Sequence, residues 1–388
     1  MEVFLTVALV IVVGLVFDFT NGFHDTANAM ATSVATGALK PRVAVLISAV
    51  LNLVGAFLST AVAATVFQGI IKSSEVMHVT PTMIFAGLVG AVLWNLGTWY
   101  LGLPSSSSHA LFGGLIGAVI IGAGANTVDF GVVLSKVIIP AVLSPFVAGV
   151  VALIATYAAY MITKQSRAHA SDRGFRRAQT VSASLVSLAH GTNDAQKTMG
   201  VITLTLIVAG YQTAKAGVPI WVILACGLSI AAGTYFGGWR IMRTVGKRIT
   251  NIQPAQGFAA ETSSAATILI SSSLGFALST TQVTSGAVVG SGIGKRLARV
   301  HWGIVGKIAI AWILTLPAAA IVGALAALLA STSTVGLIVV AVLGVLAIVG
   351  FLLLARRHPI THRNVNETGD EEEQQPESVG AGRAVSRK

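Results

Sequence analysis

The sequence predicts an all-α polytopic membrane protein built from two inverted-topology repeats, each with a broken motif helix and a re-entrant helical hairpin. Three observations predict it. Hydrophobic residues make up 54% of the 388 positions and charged residues only 10%, against about 25% charged in soluble domains. Several apolar runs reach the roughly 20 residues that span a bilayer, and mean hydropathy is +0.81. Two of these runs are interrupted by polar motifs that align with a single offset of 169 residues, Gly22 on Gly191, Asp25 on Asp194 and Met30 on Met199. The runs are continuous rather than alternating, which argues against a transmembrane β-barrel. No basic stretch or small-residue cleavage site accompanies the first run, so it is read as a retained helix. The net charge of +11 is assigned to cytoplasmic loops, with no nucleic-acid partner. Cys226 is the only cysteine and excludes an intrachain disulfide.

In chain order, residues 3–39 read as one helix broken near Gly22 and closed by Lys40, Pro41 and Arg42. Residues 43–67 are the next span, followed by a polar loop with Lys72, Glu75 and His78. Residues 83–101 and 105–124 are apolar arms joined at Gly102, Leu103 and Pro104. That joint is too short to leave the membrane, so the arms form a re-entrant hairpin. Residues 131–163 are one long span containing Pro140 and Pro145. The second half repeats this order, with the motif in 178–209, a span at 219–239, a basic loop at 240–248, a hairpin of 258–274 and 279–294, and a long span at 302–330. The hairpins align with an offset of 173, Gly102 on Gly275, Gly113 on Gly286 and Gly117 on Gly290. The predicted organisation is a first membrane repeat at 1–163, a basic cytoplasmic loop at 164–177, a second, inverted repeat at 178–330, an extra transmembrane helix at 331–356 and a tail at 357–388. The tail holds Asp370, Glu371, Glu372 and Glu373 and few apolar residues. It cannot bury a core and is expected to be disordered in the cytoplasm.

Orientation follows from Lys and Arg placement. With the N-terminus outside and each hairpin returning to its side of entry, Lys40 and the basic stretches at 164–177, 240–248, 295–299 and 356–357 all fall inside. The first repeat then crosses three times, which inverts the second and places the C-terminus in the cytoplasm of a cell membrane. Inverted repeats meeting at the midplane are a transporter architecture.

An ionisable side chain at membrane depth costs about 2.5–3.5 kcal/mol even on the lenient insertion scale. Asp25, Asp194, His24, Lys197 and Glu261 are therefore candidate functional residues. Each hairpin tip opens its second arm with hydroxyl residues, Ser105, Ser106, Ser107 and Ser108 in the first and Ser279, Thr280 and Thr281 in the second. The first turn of a helix carries unpaired N–H groups and the positive end of the dipole. With hydroxyl donors added, it suits an anion, although capping alone also favours Ser and Thr. The two acids fit an anion site if the anion carries a proton. A phosphate P–OH can donate to a carboxylate, whereas sulfate has no such proton. Oxygen ligands of this kind also suit a hard cation.

These residues resemble the Pit/PiT family of inorganic phosphate transporters, through Gly22-Phe23-His24-Asp25-Thr26-Ala27-Asn28-Ala29, the repeat His190-Gly191-Thr192-Asn193-Asp194 and both Ser/Thr tips. The resemblance runs from the N-terminus to about residue 355. It implies secondary transport of phosphate driven by H⁺ or Na⁺. By motif position it carries phosphate binding to Asp25, Asn28, Ser106, Ser107, Ser108, Asn193, Asp194, Ser279, Thr280 and Thr281. Many sodium-coupled relatives have Gly-Ala-Asn-Asp and a downstream Asn in both motifs. Here Phe23-His24 precede Asp25, and Gln196-Lys197 stand in the second motif. These departures resemble the bacterial low-affinity, proton-coupled branch, in which phosphate can travel with a divalent metal. The coupling ion or proton is therefore expected at His24, Asp25, Asp194, Lys197 and Glu261, with no cofactor and a homodimer as an open option.

Rival readings are a sulfate transporter, a passive anion channel and an intramembrane hydrolase using Ser108, His109 and Asp25. Adjacent helical residues point about 100° apart, so Ser108 and His109 make a poor nucleophile and base pair. Gln282 takes the place of His109 in the duplicate tip. The chain is read as no enzyme.

Overall fold

A computed structural model describes residues 2–164, 168–295 and 300–366. The first half runs α1 (Glu2–Ala35), α2 (Pro41–Ala56), α3 (Ala61–Gly69), α4 (Pro81–Tyr100), α5 (Ser107–Ala123) and α6 (Phe130–Ile162). The second runs α7 (Ala168–Val208), α8 (Ile220–Phe236), α9 (Trp239–Arg248), α10 (Pro254–Ser273), α11 (Thr280–Gly294) and α12 (Trp302–Ala330), followed by α13 (Thr334–Arg357). Helices α1, α4, α6, α12 and α13 are each long and apolar enough to cross a membrane, and α8 with α9 forms a pair bent by 59°. Their outward faces are apolar, as at Phe146, Ile154, Ile313 and Leu346. The protein is a nearly all-helical, multi-pass membrane protein.

The two hairpin turns repeat each other bond for bond. In the first, Leu103 N–H donates to Thr98 O and Gly102 N–H to Trp99 O; in the second, Phe276 N–H donates to Ser271 O and Gly275 N–H to Ser272 O. This is the Schellman ending of a helix, which needs a left-handed residue. Gly102 and Gly275 supply it, at φ 66° and 70°. Ser106 and Ser279 then restart the chain as N-caps, their hydroxyls accepting from His109 N–H and Gln282 N–H. Each tip is pinned by a helix of the other half. Thr244 of α9 donates to Gly102 O, and Thr65 of α3 donates to Gly275 O, both at 2.8 Å.

The packing is reciprocal as well. Helix α5 lies on α12 where Gly113 and Gly117 meet Leu316 O and Ala320 O, and α11 lies on α6 where Gly286 and Gly290 meet Pro145 O and Gly149 O. A Cβ at any of these glycines would sit 2.0–2.3 Å from the facing carbonyl. Small residues permit such backbone approach between membrane helices. The motif glycines do the same work. Gly22 brings α1 against Ile230 O of α8, and Gly191 brings α7 against Asn52 O of α2.

That close packing corrects one expectation. The motif helices are not broken at Gly22 or Gly191; α1 and α7 are continuous. The breaks lie in their partners, between α2 and α3 and at Gly237-Gly238 between α8 and α9. The single span expected at 43–67 is thus two helices. Its break is stabilised from a distance, because Gln196 Oε1 accepts from Val62 N–H and Ala63 N–H at the start of α3. Two expected basic loops are largely helical. Helix α7 begins at Ala168, within the segment 164–177, and 240–248 lies in α9. Residues 165–167 and 296–299 lie outside the described residues, as does the tail from 367. The first tail residues are not loose. Val365 is buried, Arg243 donates to Asn364 O and Asn366 donates to Val34 O.

Candidate functional site

The middle of α1 and α7 and the two hairpin tips meet in one buried polar cluster. Asp25, Asp194, His190 and Lys197 are each at most 1% exposed, and His24 is fully buried. Asp25 Oδ1 contacts His24 Nδ1 at 2.5 Å and accepts from Thr281 at 3.2 Å. Its Oδ2 accepts from Ser107 at 2.8 Å and from Thr280 at 3.4 Å. Asp194 Oδ2 accepts from Thr280 at 2.8 Å and lies 2.9 Å from His190 Nε2. Asp194 Oδ1 pairs with Lys197. Lys197 also donates to Ser108 Oγ at 2.5 Å and to Leu278 O at 2.8 Å.

The cluster is therefore shared between the halves. The first tip reaches both motif helices, through Ser107 to Asp25 and Ser108 to Lys197. The second tip does likewise, with Thr280 touching both acids. Ser108 also donates to Leu278 O at 3.0 Å, tying tip to tip. Asn28 donates to Thr281 at 3.0 Å and to Thr280 at 3.5 Å, and its own Oδ1 has no partner among the described residues.

Other expected site residues lie at the margin. Ser106 and Ser279 are occupied as caps, as described above. Asn193 donates to Ser272 Oγ at 2.8 Å and to Phe276 O at 3.5 Å, so it holds the second hairpin rather than Asp194. Glu261 forms a separate buried group. Its carboxylate accepts from Thr32 at 2.5 Å, Ser33 at 2.6 Å, Ser182 at 2.5 Å and Gln179 at 3.2 Å. His24 Nε2 lies 3.3 Å from Thr98 Oγ1 and 3.4 Å from Ser105 Oγ.

His190 belongs to the second motif, and the sequence alone gives it no role. It sits four residues before Asp194, one helical turn along the same face. That spacing was the available signal. Its Nδ1 lies 3.1 Å from Asn52 Oδ1, which points Nε2 at the acids. Ligand atoms of Asp25, His190 and Asp194 all lie within 4.8 Å of one another, so these three could hold a metal ion.

The fold and this centre define a multi-pass membrane protein with an ionic site enclosed between duplicated helical tips. The chain belongs to the phosphate transporter family, whose model matches residues 21–323. It is 54% identical over 369 residues to a probable low-affinity inorganic phosphate transporter of Mycobacterium bovis, covering 92% of this chain and 86% of that one. A protein of the same description from Bacillus subtilis is 43% identical over 327 residues, covering 84% and 98%. Among solved structures, one described as the sodium-dependent phosphate transporter superposes with a TM-score of 0.73 at 26% identity, covering 84% of this chain and 98% of that one. The relatives are named as transporters, in keeping with the reading that the chain is no enzyme. The Ser108 and His109 pairing that a hydrolase would need is not formed: Ser108 donates to Leu278 O, and His109 Nε2 has no hydrogen-bond partner among the described residues.

Proposed function

We propose that the protein imports inorganic phosphate by proton symport, with phosphate bound between the two hairpin tips and the motif helices. The observation that carries this is the convergence of Ser107, Ser108, Thr280 and Thr281 on Asp25, Asp194 and Lys197. The hydroxyls that hold the carboxylates are the donors a phosphate oxygen would take, and each carboxylate could accept from a P–OH group.

Charge argues for a co-transported cation. The cluster holds two carboxylates and one ammonium. With neutral imidazoles its net charge is negative, before a phosphate anion arrives. Two like unit charges 4 Å apart repel by about 4 kcal/mol at an effective dielectric of 20. Histidine is the side chain that changes charge near neutral pH. His24 against Asp25 and His190 against Asp194 place one imidazole beside each acid. Lys197 places a fixed cation against Asp194, where a bound sodium would otherwise compensate it. The sodium-coupled alternative draws support from the solved relative's description. A divalent metal travelling with phosphate would find Asp25, His190 and Asp194 close enough to receive it.

Orientation and inversion belong to the same proposal. Lys247 donates to Ala35 O, Arg240 to Ala355 O and His358 O, and Arg243 to Asn364 O. These contacts bring the basic helix α9 against the C-terminal ends of α1 and α13, next to Lys40 and Arg356-Arg357 in sequence, which suits a cytoplasmic face with the N-terminus outside. The reciprocal pinning of the tips suits inverted repeats that close the site from opposite sides. Uptake by Asp25→Asn and Asp194→Asn tests the site. Asparagine keeps the shape but removes charge and makes one acceptor a donor. Both variants should lose most uptake; near-normal uptake by either would make its motif structural.

A further inference from the structure

Asp18 lies outside the cluster just described. It is fully buried on α1, in an apolar stretch. Its Oδ1 accepts one hydrogen bond, from Thr198 at 2.9 Å, and its Oδ2 has no partner among the described residues. An ionised carboxylate offers about four lone-pair sites, and burying one without a cation or several donors is costly. Glu261 shows the contrast, with four donors gathered on it. The charged or titratable groups facing Asp18 among the described residues are Asp194 and Lys197 of α7 and Cys226 of α8. A carboxyl held by one hydroxyl donor, with only the Cys226 thiol beside it, is suited to carrying a proton.

Its position gives that proton somewhere to go. Asp18, Asn21, Asp25, Asn28 and Thr32 follow one another at spacings of three and four residues, which lines them on one face of α1. Asp18 stands about 10 Å before Asp25 along the helix, at 1.5 Å per residue. Between them Asn21 turns a buried carbonyl oxygen that has no partner among the described residues. Thr198, the donor to Asp18, directly follows Lys197. At the far end of the stripe Thr32 donates to Glu261. The stripe thus runs from one isolated acid, through the phosphate cluster, to another.

Asp18 is not required by the duplicated scaffold. Its counterpart at the 169-residue offset is Ser187, which bonds Ser48 and Ala183 O. A hydroxyl is enough to pack that place.

We propose that Asp18 is a proton-carrying group of the transport cycle, loaded and unloaded on the N-terminal side of the phosphate site. The proposal rests on the proton-coupled reading above. The test uses full-length protein in liposomes and two assays. One is accumulation of labelled phosphate under an imposed inward proton gradient. The other is exchange of labelled for unlabelled phosphate at equal concentrations, which needs no net proton movement. Asp18→Asn should keep exchange and lose accumulation above equilibrium. A variant that still accumulates phosphate, or that assembles but has lost exchange too, overturns the proposal. Unmodified protein that fails to accumulate under the proton gradient defeats the proton-coupled reading itself, a distinct result. Thr198→Val provides a second arm should Asp18→Asn fail to assemble. It removes the hydroxyl donor to Asp18, a bond that favours the charged form. It should move the pH profile of accumulation towards alkaline pH with exchange unchanged; an unmoved profile overturns the proposal.

Discussion

Lys197 Nζ, on the second motif helix, donates to Ser108 Oγ in the tip of the first hairpin at 2.5 Å. The same ammonium pairs with Asp194 and donates to Leu278 O in the second tip. One cation therefore joins both halves at the centre of the molecule. Removing it by Lys197→Met leaves Asp194 buried without its ammonium partner, held by Thr280 and the His190 imidazole. Breaking a buried ion pair on one side typically costs about 3–5 kcal/mol. The double variant Lys197→Met/Asp194→Asn should therefore melt above the single Lys197→Met variant in detergent, while both lose transport. Equal melting temperatures would show that the pair contributes little.

The hydroxyls of the tips divide into two roles. Ser107 and Thr280 donate to the acids, whereas Ser106 and Ser279 cap helices. Ser107→Ala and Thr280→Val should weaken phosphate binding by about 0.5–3 kcal/mol, the upper part applying to bonds with a charged oxygen. Ser106→Ala and Ser279→Ala should lower stability by about 0.5–2 kcal/mol with a smaller change in affinity. Calorimetric titration with phosphate, alongside thermal melting, separates the two effects.

These roles mark how far the residues could be read without coordinates. Motifs and tips were legible because Asp25, Asp194 and runs of hydroxyls stand out against apolar sequence at membrane depth. The division between Ser106 and Ser107 was not, since both are serines and only helix phase decides which one caps. The break between α2 and α3 was hidden because Gln196, more than a hundred residues away, holds the exposed N–H groups of α3. Helix α9 was read as a loop from its charges. Arg240 and Arg243 instead lie along a helix and reach carbonyls of the C-terminal segment. The break expected near Gly22 rests on the polar motif that interrupts an apolar run there, and the helix is continuous. The missing side chain of Gly22 serves close contact with α8 instead.

The tips also make alternating access testable. Ser105 and Leu278 occupy equivalent places and are both buried, at 0% and 2% exposure. A cysteine at 105 should react with an impermeant reagent from outside and one at 278 from inside, each at a rate that phosphate changes. The native Cys226 is fully buried and should stay silent. Free labelling of both positions from both faces would indicate a channel.

The central claim, proton-driven phosphate import, meets its most direct test in purified protein reconstituted into liposomes under separately imposed H⁺ and Na⁺ gradients. The account predicts phosphate accumulation in sodium-free medium under an inward proton gradient, and its loss when that gradient is collapsed. An absolute sodium requirement with no response to the proton gradient would contradict it.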